Sequence, residues 1–306
     1  MTSKYAFFQG QIRPLSEAKI SVMTSAFNYG TGVFEGIRAF WNPDEEQLYL
    51  FRLREHYVRF LANCRLLLID LPYSVDQLAE STVELLLREG YREDVYVRPL
   101  AYKSTEMIGV KLHGLDADCT IFALPFGAYI DRPGGIRAMV SSWRRVDDTA
   151  IPARGKITGS YVNSALAKTE AALAGFDEAL LLSQDGHLSE GSAENVFLVR
   201  NGELITPPVT ANVLEGITRA TVLQLARELD IPIQERPVDR TELYVAEEVF
   251  LAGTGAGMVP VVEVDHRPVG RGVPGPLFSR LQGLYERMVR GREPARRGWC
   301  TPVYPA

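Results

Sequence analysis

A lysine among small residues, two anion-receptive turns, an arginine on a helix and a carboxylate at a strand end are the groups of this chain that could do chemistry together. The lysine is Lys156, in IPARGKITGSYVNSALAKTEA, where Gly155 precedes it and Gly159 and Tyr161 follow, ahead of an alanine-rich helical run. A surface lysine needs no such setting; an amine that must carry a carbonyl cofactor does. In LEGITRATVLQLARELDI, Gly216, Ile217 and Thr218 open a helix whose first N–H groups and dipole favour an anion, with the Thr218 hydroxyl as a further donor. In EEVFLAGTGAGMVPV, the GTG turn, Gly253 to Gly255, follows a strand and can form an amide nest. Each has an ordinary alternative, a capped helix start or a tight turn. Arg59 is either a bidentate partner for phosphate or a surface arginine, and the stripe His56, Arg59 and Asn63 on one helix face reads by default as solvated. Together these are the groups that pyridoxal phosphate requires: an amine for attachment, donors for the phosphate, and an acid to keep the ring nitrogen protonated. Spacing alone does not bring them together.

The elements that must position these residues are legible in part. Ile121 to Leu124 and Ile136 to Ser141 read as strands, and the Pro- and Gly-rich segment between them reads as a connector. The chain therefore divides into a small N-terminal domain (1–124), a connector (125–136) and a large C-terminal domain (137–306), a two-domain α+β or α/β architecture. SVDQLAESTVELLLREG reads as a core-packing helix, with Ser74 and Gln77 at capping-box spacing and Gly90 as its stop. DEALLLSQDGHLSEGSAENVFLVRNGELITP reads as a meander, with hairpins at Asp185-Gly186 and Asn201-Gly202, which places Glu190 and Glu194 at a strand end.

At 306 residues the chain is long enough for about two domains. With 33 basic and 38 acidic residues, a net charge of -5, it lacks the basic excess of a nucleic-acid or anionic-membrane binder, which leaves small molecules as the expected partners. Cys64, Cys119 and Cys300 are scattered, as are His56, His113, His187 and His266, so neither a disulfide framework nor a metal site is expected. No signal-like start and no long apolar run appear, and the reading is a cytoplasmic protein.

Across most of its length the sequence resembles the fold-type-IV pyridoxal-phosphate aminotransferases, and within them the branched-chain amino acid aminotransferases. The motifs that carry the resemblance are FNYGTGVFEGIRAF, FRLREHYVRF, VYVRPLAY, FGAY, GKITGSYVNS, LSEGSAENVFLV, LEGITRATVLQLA and LAGTGAGMVPV. The resemblance implies transamination of leucine, isoleucine and valine with 2-oxoglutarate, in a homodimer at least, with a higher homo-oligomer left open. It implies that Lys156 carries the cofactor and moves the substrate proton, that Arg59, Ile217, Thr218 and Thr254 hold the phosphate, that Leu214 packs on the ring, that Glu194 pairs with the ring nitrogen and that Tyr161 bonds the phenolic oxygen. It further implies a substrate chamber of Tyr29, Phe34, Gly36, Tyr96, Arg98, Val110, Phe126 and Tyr129, with Tyr29 and Val110 reaching a partner subunit's site and Thr254 and Gly255 at the α-carboxylate. Arg98 would pair with the side-chain carboxylate of glutamate.

Two departures stand out. The branched-chain enzymes usually read GTAAE where this chain reads GTGAG (Gly253 to Gly257), which predicts a more mobile turn and some activity on primary amines. Phe126 stands where a tryptophan is common. An (R)-selective amine or D-amino acid aminotransferase is the main alternative, an aminodeoxychorismate lyase the lesser one.

Overall fold

In VYVRPLAYK every second residue is apolar, and Val95, Val97, Pro99 and Ala101 are buried while Tyr96, Arg98 and Leu100 are half-buried on the other face. That period of two makes the segment the centre of a sheet with two distinct faces. The structure is a computed structural model and describes residues 3–127, 132 and 134–305. It divides into two compact units, one of Met1–Gly127, Gly155–Gly159 and Glu286–Ala306, the other of Ala128–Arg154 and Ser160–Tyr285.

The first unit holds strands β1 (Tyr5–Phe8), β2 (Gln11–Pro14), β3 (Gly32–Phe34), β4 (Ile37–Asn42), β5 (Gln47–Phe51), β6 (Val95–Lys103) and β7 (Ala117–Pro125), with helices α1 (Ser25–Tyr29), α2 (Leu53–Leu66) and α3 (Val75–Glu89). The strands run β5-β4-β6-β7-β1-β2, with β3 also paired to β6, all antiparallel. Helix α3 packs on β1 and β7. Its ends are as the sequence predicts: Ser74 and Gln77 form a capping box, and Gly90 closes it at φ 70°.

The second unit holds β8 (Ile136–Arg144), β9 (Glu178–Leu182), β10 (Leu188–Gly191), β11 (Asn195–Arg200), β12 (Glu203–Thr206), β13 (Ile233–Glu235), β14 (Glu248–Gly253), β15 (Gly257–Val264) and β16 (Arg267–Pro268), with helices α4 (Tyr161–Leu173) and α5 (Ile217–Glu228). The order is β10-β9-β8-β15-β14-β11-β12-β13, with β16 on β15. The sheet is mixed, β8 lying parallel to both β9 and β15. Its core includes Val140, Leu180, Leu198, Leu251 and Val261, and Ala167 and Ala171 of α4 pack with Phe176 and Leu181. Helix α6 covers Pro276–Val289, and a last strand, β17 (Cys300–Pro302), joins the first sheet beside β5.

Two expectations differ from this architecture. The segment 137–306 is not one compact unit, because residues 155–159 and 286–306 belong with the first; pairing of Cys300 with Phe51 and Pro302 with Tyr49 ties the end of the chain there. The hairpins at Asp185-Gly186 and Asn201-Gly202 form, β9 with β10 and β11 with β12, but the meander is interrupted between β10 and β11. There Gly191 donates its N–H to the Glu194 carbonyl (2.7 Å), and β11 pairs instead with β14.

Candidate active site

The setting of Lys156 has a backbone cause. Residues 155–159 run alongside β3: the Phe34 N–H donates to the Lys156 carbonyl (3.0 Å), Thr158 N–H to Gly32 (2.9 Å) and Gly159 N–H to Gly30 (3.1 Å). The Thr158 hydroxyl donates to the Gly30 carbonyl at 2.7 Å. The approach is so close that a Cβ on Gly30 would meet the Gly159 Cα at 2.8 Å, and one on Gly155 would meet Leu66 of α2 at 2.8 Å. The glycines are therefore demanded by a rigid seat rather than by flexibility. From it the half-buried Lys156 directs its Nζ to within 4.8 Å of the Phe34 ring centroid.

Arg59, on α2 of the same unit, is fixed by a residue the sequence reading passed over. Glu35, fully buried, accepts from Arg59 Nε on Oε1 (2.7 Å) and from its Nη2 on Oε2 (2.7 Å), while the Nδ1 of His56, also buried, lies 2.8 Å from the same Oε2. Burial alone would push Glu35 towards the neutral acid, but the Arg59 charge and the hydrogen bonds from His56 and Arg59 outweigh it and bring its pKa down to about 2. Burial lowers the pKa of His56. A neutral His56 then carries its proton on Nδ1 and donates it to Glu35. The stripe His56, Arg59 and Asn63 is thus not a solvated face: His56 and Asn63 are buried, and Arg59 is held in a bidentate fork. The signal was Glu35 itself, an acid between Phe34 and Gly36 at the start of a buried strand.

Of the predicted chamber residues, Phe34, Tyr96 and Arg98 share one face of the first sheet. Cross-strand register pairs Phe34 with Leu100, Arg38 with Tyr96, Arg98 with Phe122 and Tyr96 with Leu124, and partners in register point the same way. The Arg98 guanidinium lies 4.5 Å from the Phe34 centroid and 5.1 Å from that of Tyr96, and donates to the Tyr96 hydroxyl at 3.0 Å. Tyr96 in turn lies 5.1 Å from the Phe126 ring. Gly36 makes room for Tyr96, since a Cβ there would meet the tyrosine oxygen at 2.2 Å. Tyr29, on α1, accepts from the Gly109 N–H (3.0 Å), and the neighbouring Val110 is 80% exposed. Tyr129 lies outside the described residues.

In the second unit Glu194, 4% exposed, accepts from the Ala193 N–H at 3.2 Å. Burial, reinforced by the nearby Glu178 carboxylate and only partly offset by Lys168, holds its pKa well above the ordinary carboxylate range. A cationic N–H placed beside it would offset the burial and stabilise the ionised carboxylate. Gly253 and Gly191 give it room: a Cβ on Gly253 would meet its Cγ at 3.0 Å and one on Gly191 its Oε2 at 3.1 Å. The turn from Thr254 to Ala256, its threonine half-buried, therefore begins beside Glu194. Gly216 caps α5 without a side-chain hydrogen bond, so the amides of Ile217 and Thr218 open the helix behind a residue with no side chain. A side chain at 216 would meet Asn195 Oδ1 at 2.1 Å. Asn195 and Glu190 organise that turn: Asn195 Nδ2 donates to the Leu214 carbonyl (2.9 Å), the Leu214 N–H donates to Glu190 (2.9 Å), and Arg145 pairs with Glu190 at 2.9 Å. Leu214 and Tyr161, the first residue of α4, are both half-buried. Within the first unit the fixed amine of Lys156 and the clamped Arg59 suit the carbonyl and a phosphate of pyridoxal phosphate, and within the second the uncapped helix start and the buried Glu194 suit a phosphate and the ring nitrogen.

Comparison with known proteins agrees with this chemistry. Residues 32–264 match the family of amino-transferase class IV. A probable branched-chain-amino-acid aminotransferase of Aquifex aeolicus (strain VF5) is 51% identical over 301 residues, covering 98% of this chain and 97% of the relative. The crystal structure of a branched-chain aminotransferase from Thermoproteus uzoniensis with norvaline is 44% identical, with a TM-score of 0.95 over 99% of this chain and 100% of that one. That of the branched-chain amino acid aminotransferase from Thermobaculum terrenum in its PLP-form is 38% identical, with a TM-score of 0.94 over 99% of both chains. The chain belongs to the class IV aminotransferases. Its similarity within that family is to enzymes named for branched-chain amino acids.

Proposed function

We infer that this chain is a pyridoxal-phosphate aminotransferase that moves the amino group of leucine, isoleucine or valine to 2-oxoglutarate, giving the branched 2-oxoacid and L-glutamate. The observation that carries the substrate reading is the aromatic face of the first sheet, where Arg98 lies stacked on Phe34 and Tyr96 and Lys156 reaches the same Phe34 ring. An apolar side chain gains about 0.8 kcal/mol per buried CH₂ against such rings. The arginine accepts the side-chain carboxylate of glutamate without setting that charge against an apolar wall.

When bound, pyridoxal phosphate supplies an electron sink for the amino acid's α-carbon. Lys156 would carry it, and its Nζ, once released to the substrate, would take and return the α-proton. Arg59, the amides of Ile217 and Thr218, and Thr254 would hold the phosphate; Glu194 would pair with the ring nitrogen, Tyr161 with the phenolic oxygen, and Leu214 would support the ring. Thr254 and Gly255 meet the α-carboxylate. Phe34, Gly36, Tyr96, Arg98 and Phe126 would form the chamber, which Tyr29 and Val110 would complete in a partner subunit. A homodimer is supported by the apolar exposure of α1 and the 105–110 loop, which the Thr24–Glu106 bridge joins. Three buried free cysteines suit a reducing cytoplasm. Among the described residues no helix is long and apolar enough to cross a membrane.

The test mixes the purified holoenzyme with single L-amino acids, D-amino acids or (R)-amines and follows the cofactor absorbance. A change with L-leucine, L-isoleucine and L-valine that Lys156→Ala abolishes is the expected result. A response confined to D-amino acids or (R)-amines would replace the substrate assignment, and borohydride trapping of the cofactor on Lys168 would replace the lysine.

A further inference from the structure

The wall residue Phe126 lies just past the end of β7 at Pro125, and it is held by a bracket of charged groups within the first unit. Its N–H donates to the Asp94 backbone carbonyl (2.8 Å), and its carbonyl accepts from Arg38 Nη2 (2.9 Å). The Arg38 guanidinium also lies 5.1 Å from the Phe126 ring centroid, so one buried side chain grips both backbone and ring. Behind Arg38 stands the Asp94 carboxylate, 3.8 Å from its Nη2. That carboxylate accepts the Trp41 N–H at 2.9 Å and both Nη groups of Arg290 at 2.8 Å each. Arg290 follows α6 directly and is pinned in turn, since its Nη1 donates to the Trp41 carbonyl (2.8 Å) and its own carbonyl accepts from Asn42 Nδ2 (2.9 Å).

We infer that Asp94 and Arg290 are positioning residues for substrate specificity, setting Phe126 from behind through Arg38 and the Asp94 backbone. The inference rests on the reading of Phe126 as a wall of the substrate chamber. A bidentate arginine–carboxylate fork fixes direction as well as distance, which a lysine at the same place does not. Asp94 presents its carboxylate to the fork and its backbone carbonyl to Phe126, so a change in the fork's geometry is passed to the ring over one residue. Phe126 then selects among aliphatic side chains only as sharply as a residue remote in sequence allows.

The experiment is a double-variant cycle on the holoenzyme with Arg290→Gln, Phe126→Ala and the pair, reading KM and kcat for L-leucine, L-valine and L-glutamate, and the affinity of 4-methylvaleric acid as a non-reacting probe. Arg290→Gln is expected to raise the KM for leucine and weaken the probe by about three- to tenfold, to leave glutamate within about twofold, and to add nothing in the Phe126→Ala background. Arg290→Lys keeps the charge, loses the fork, and carries the same test if the glutamine variant does not fold. An effective Phe126→Ala beside two silent Arg290 variants would leave the wall in place and overturn the inference, as would fully additive losses in the pair. A silent Phe126→Ala would remove the wall, and the inference with it.

Discussion

Glu35 shows how a single buried acid can decide what an arginine is for. Arg59 is long and mobile by nature, and a phosphate-binding guanidinium gains from being held in place before the anion arrives. Glu35 provides that by fork geometry and His56 provides the second clamp. Because the Glu35 pKa is depressed to about 2, its contribution to stability is present above the ordinary glutamate range and is lost as the pH falls from about 4.5 towards 2. Glu35→Gln should therefore flatten the acid limb of the stability curve in that window. It should also weaken pyridoxal phosphate by roughly ten- to hundredfold, the equivalent of about 1.5 to 3 kcal/mol for a charge-assisted contact. Equilibrium titration of the cofactor and thermal melts from pH 2 to 7 check both; an unchanged affinity would reduce Glu35 to a packing residue. The sequence made Arg59 visible as a candidate and left Glu35 unseen, because an acid in the short link between β3 and β4 does not show which helix residue it will pair with. Glu194 was visible by its motif, but its raised pKa comes from burial and from Glu178, partly offset by Lys168, and spacing places neither neighbour beside it.

At the scale of elements, turn chemistry was the most legible feature, since Asn-Gly and Asp-Gly specify hairpins by local backbone preference alone. The break between β10 and β11 was not, because strand pairing is chosen by partners far along the chain. The GTGAG turn divides in the same way. Gly257 sits at φ 69° and closes the β14–β15 hairpin opposite Gly253, so its glycine is a conformational requirement, and Ala256 packs against the core of the sheet. Gly255 has no left-handed φ, and nothing lies within 4 Å of a Cβ built on it. Flexibility in this turn therefore centres on Gly255 rather than on both extra glycines. Gly257→Ala should cost about 1 kcal/mol in chemical denaturation, whereas Gly255→Ala should be neutral or stabilising by up to about 1 kcal/mol. If mobility at Gly255 is what admits amines lacking a carboxylate, Gly255→Ala should reduce an (R)-amine half-reaction while sparing leucine. A loss of equal size for both substrates would place the amine activity elsewhere.

On the scale of the whole molecule the chain closes on itself in a way no local pattern announces. The end of the chain returns to the first sheet: β17 pairs with β5, and Gln47 accepts the N–H groups of Val303 and Tyr304 at 3.1 and 2.8 Å. Such pairings join residues some 250 positions apart and are set by the completed sheet, so the sequence groups 286–306 with the segment before it whereas its contacts group it with the first unit. Oligomeric state is a question of the same scale. In the first unit Val22, Phe27, Ile108 and Val110 are 76%, 68%, 73% and 80% exposed, and they lie on two segments joined by the Ser25 N–H to the Thr105 carbonyl and by Tyr29 to Gly109. Four large apolar side chains on adjoining segments are costly to leave in water, and in the proposed homodimer a second copy of the chain would cover them, at a gain of about 1.5 to 3 kcal/mol for each one fully buried. Phe27→Asp should place a charge in that interface and shift sedimentation from dimer to monomer without unfolding the chain, since the ring is solvent-exposed within one subunit. If Val110 and Tyr29 complete a neighbouring chamber, the monomer should still take up pyridoxal phosphate on Lys156 while losing most of its turnover with leucine. A Phe27→Asp monomer with full turnover would show that each chain is complete alone.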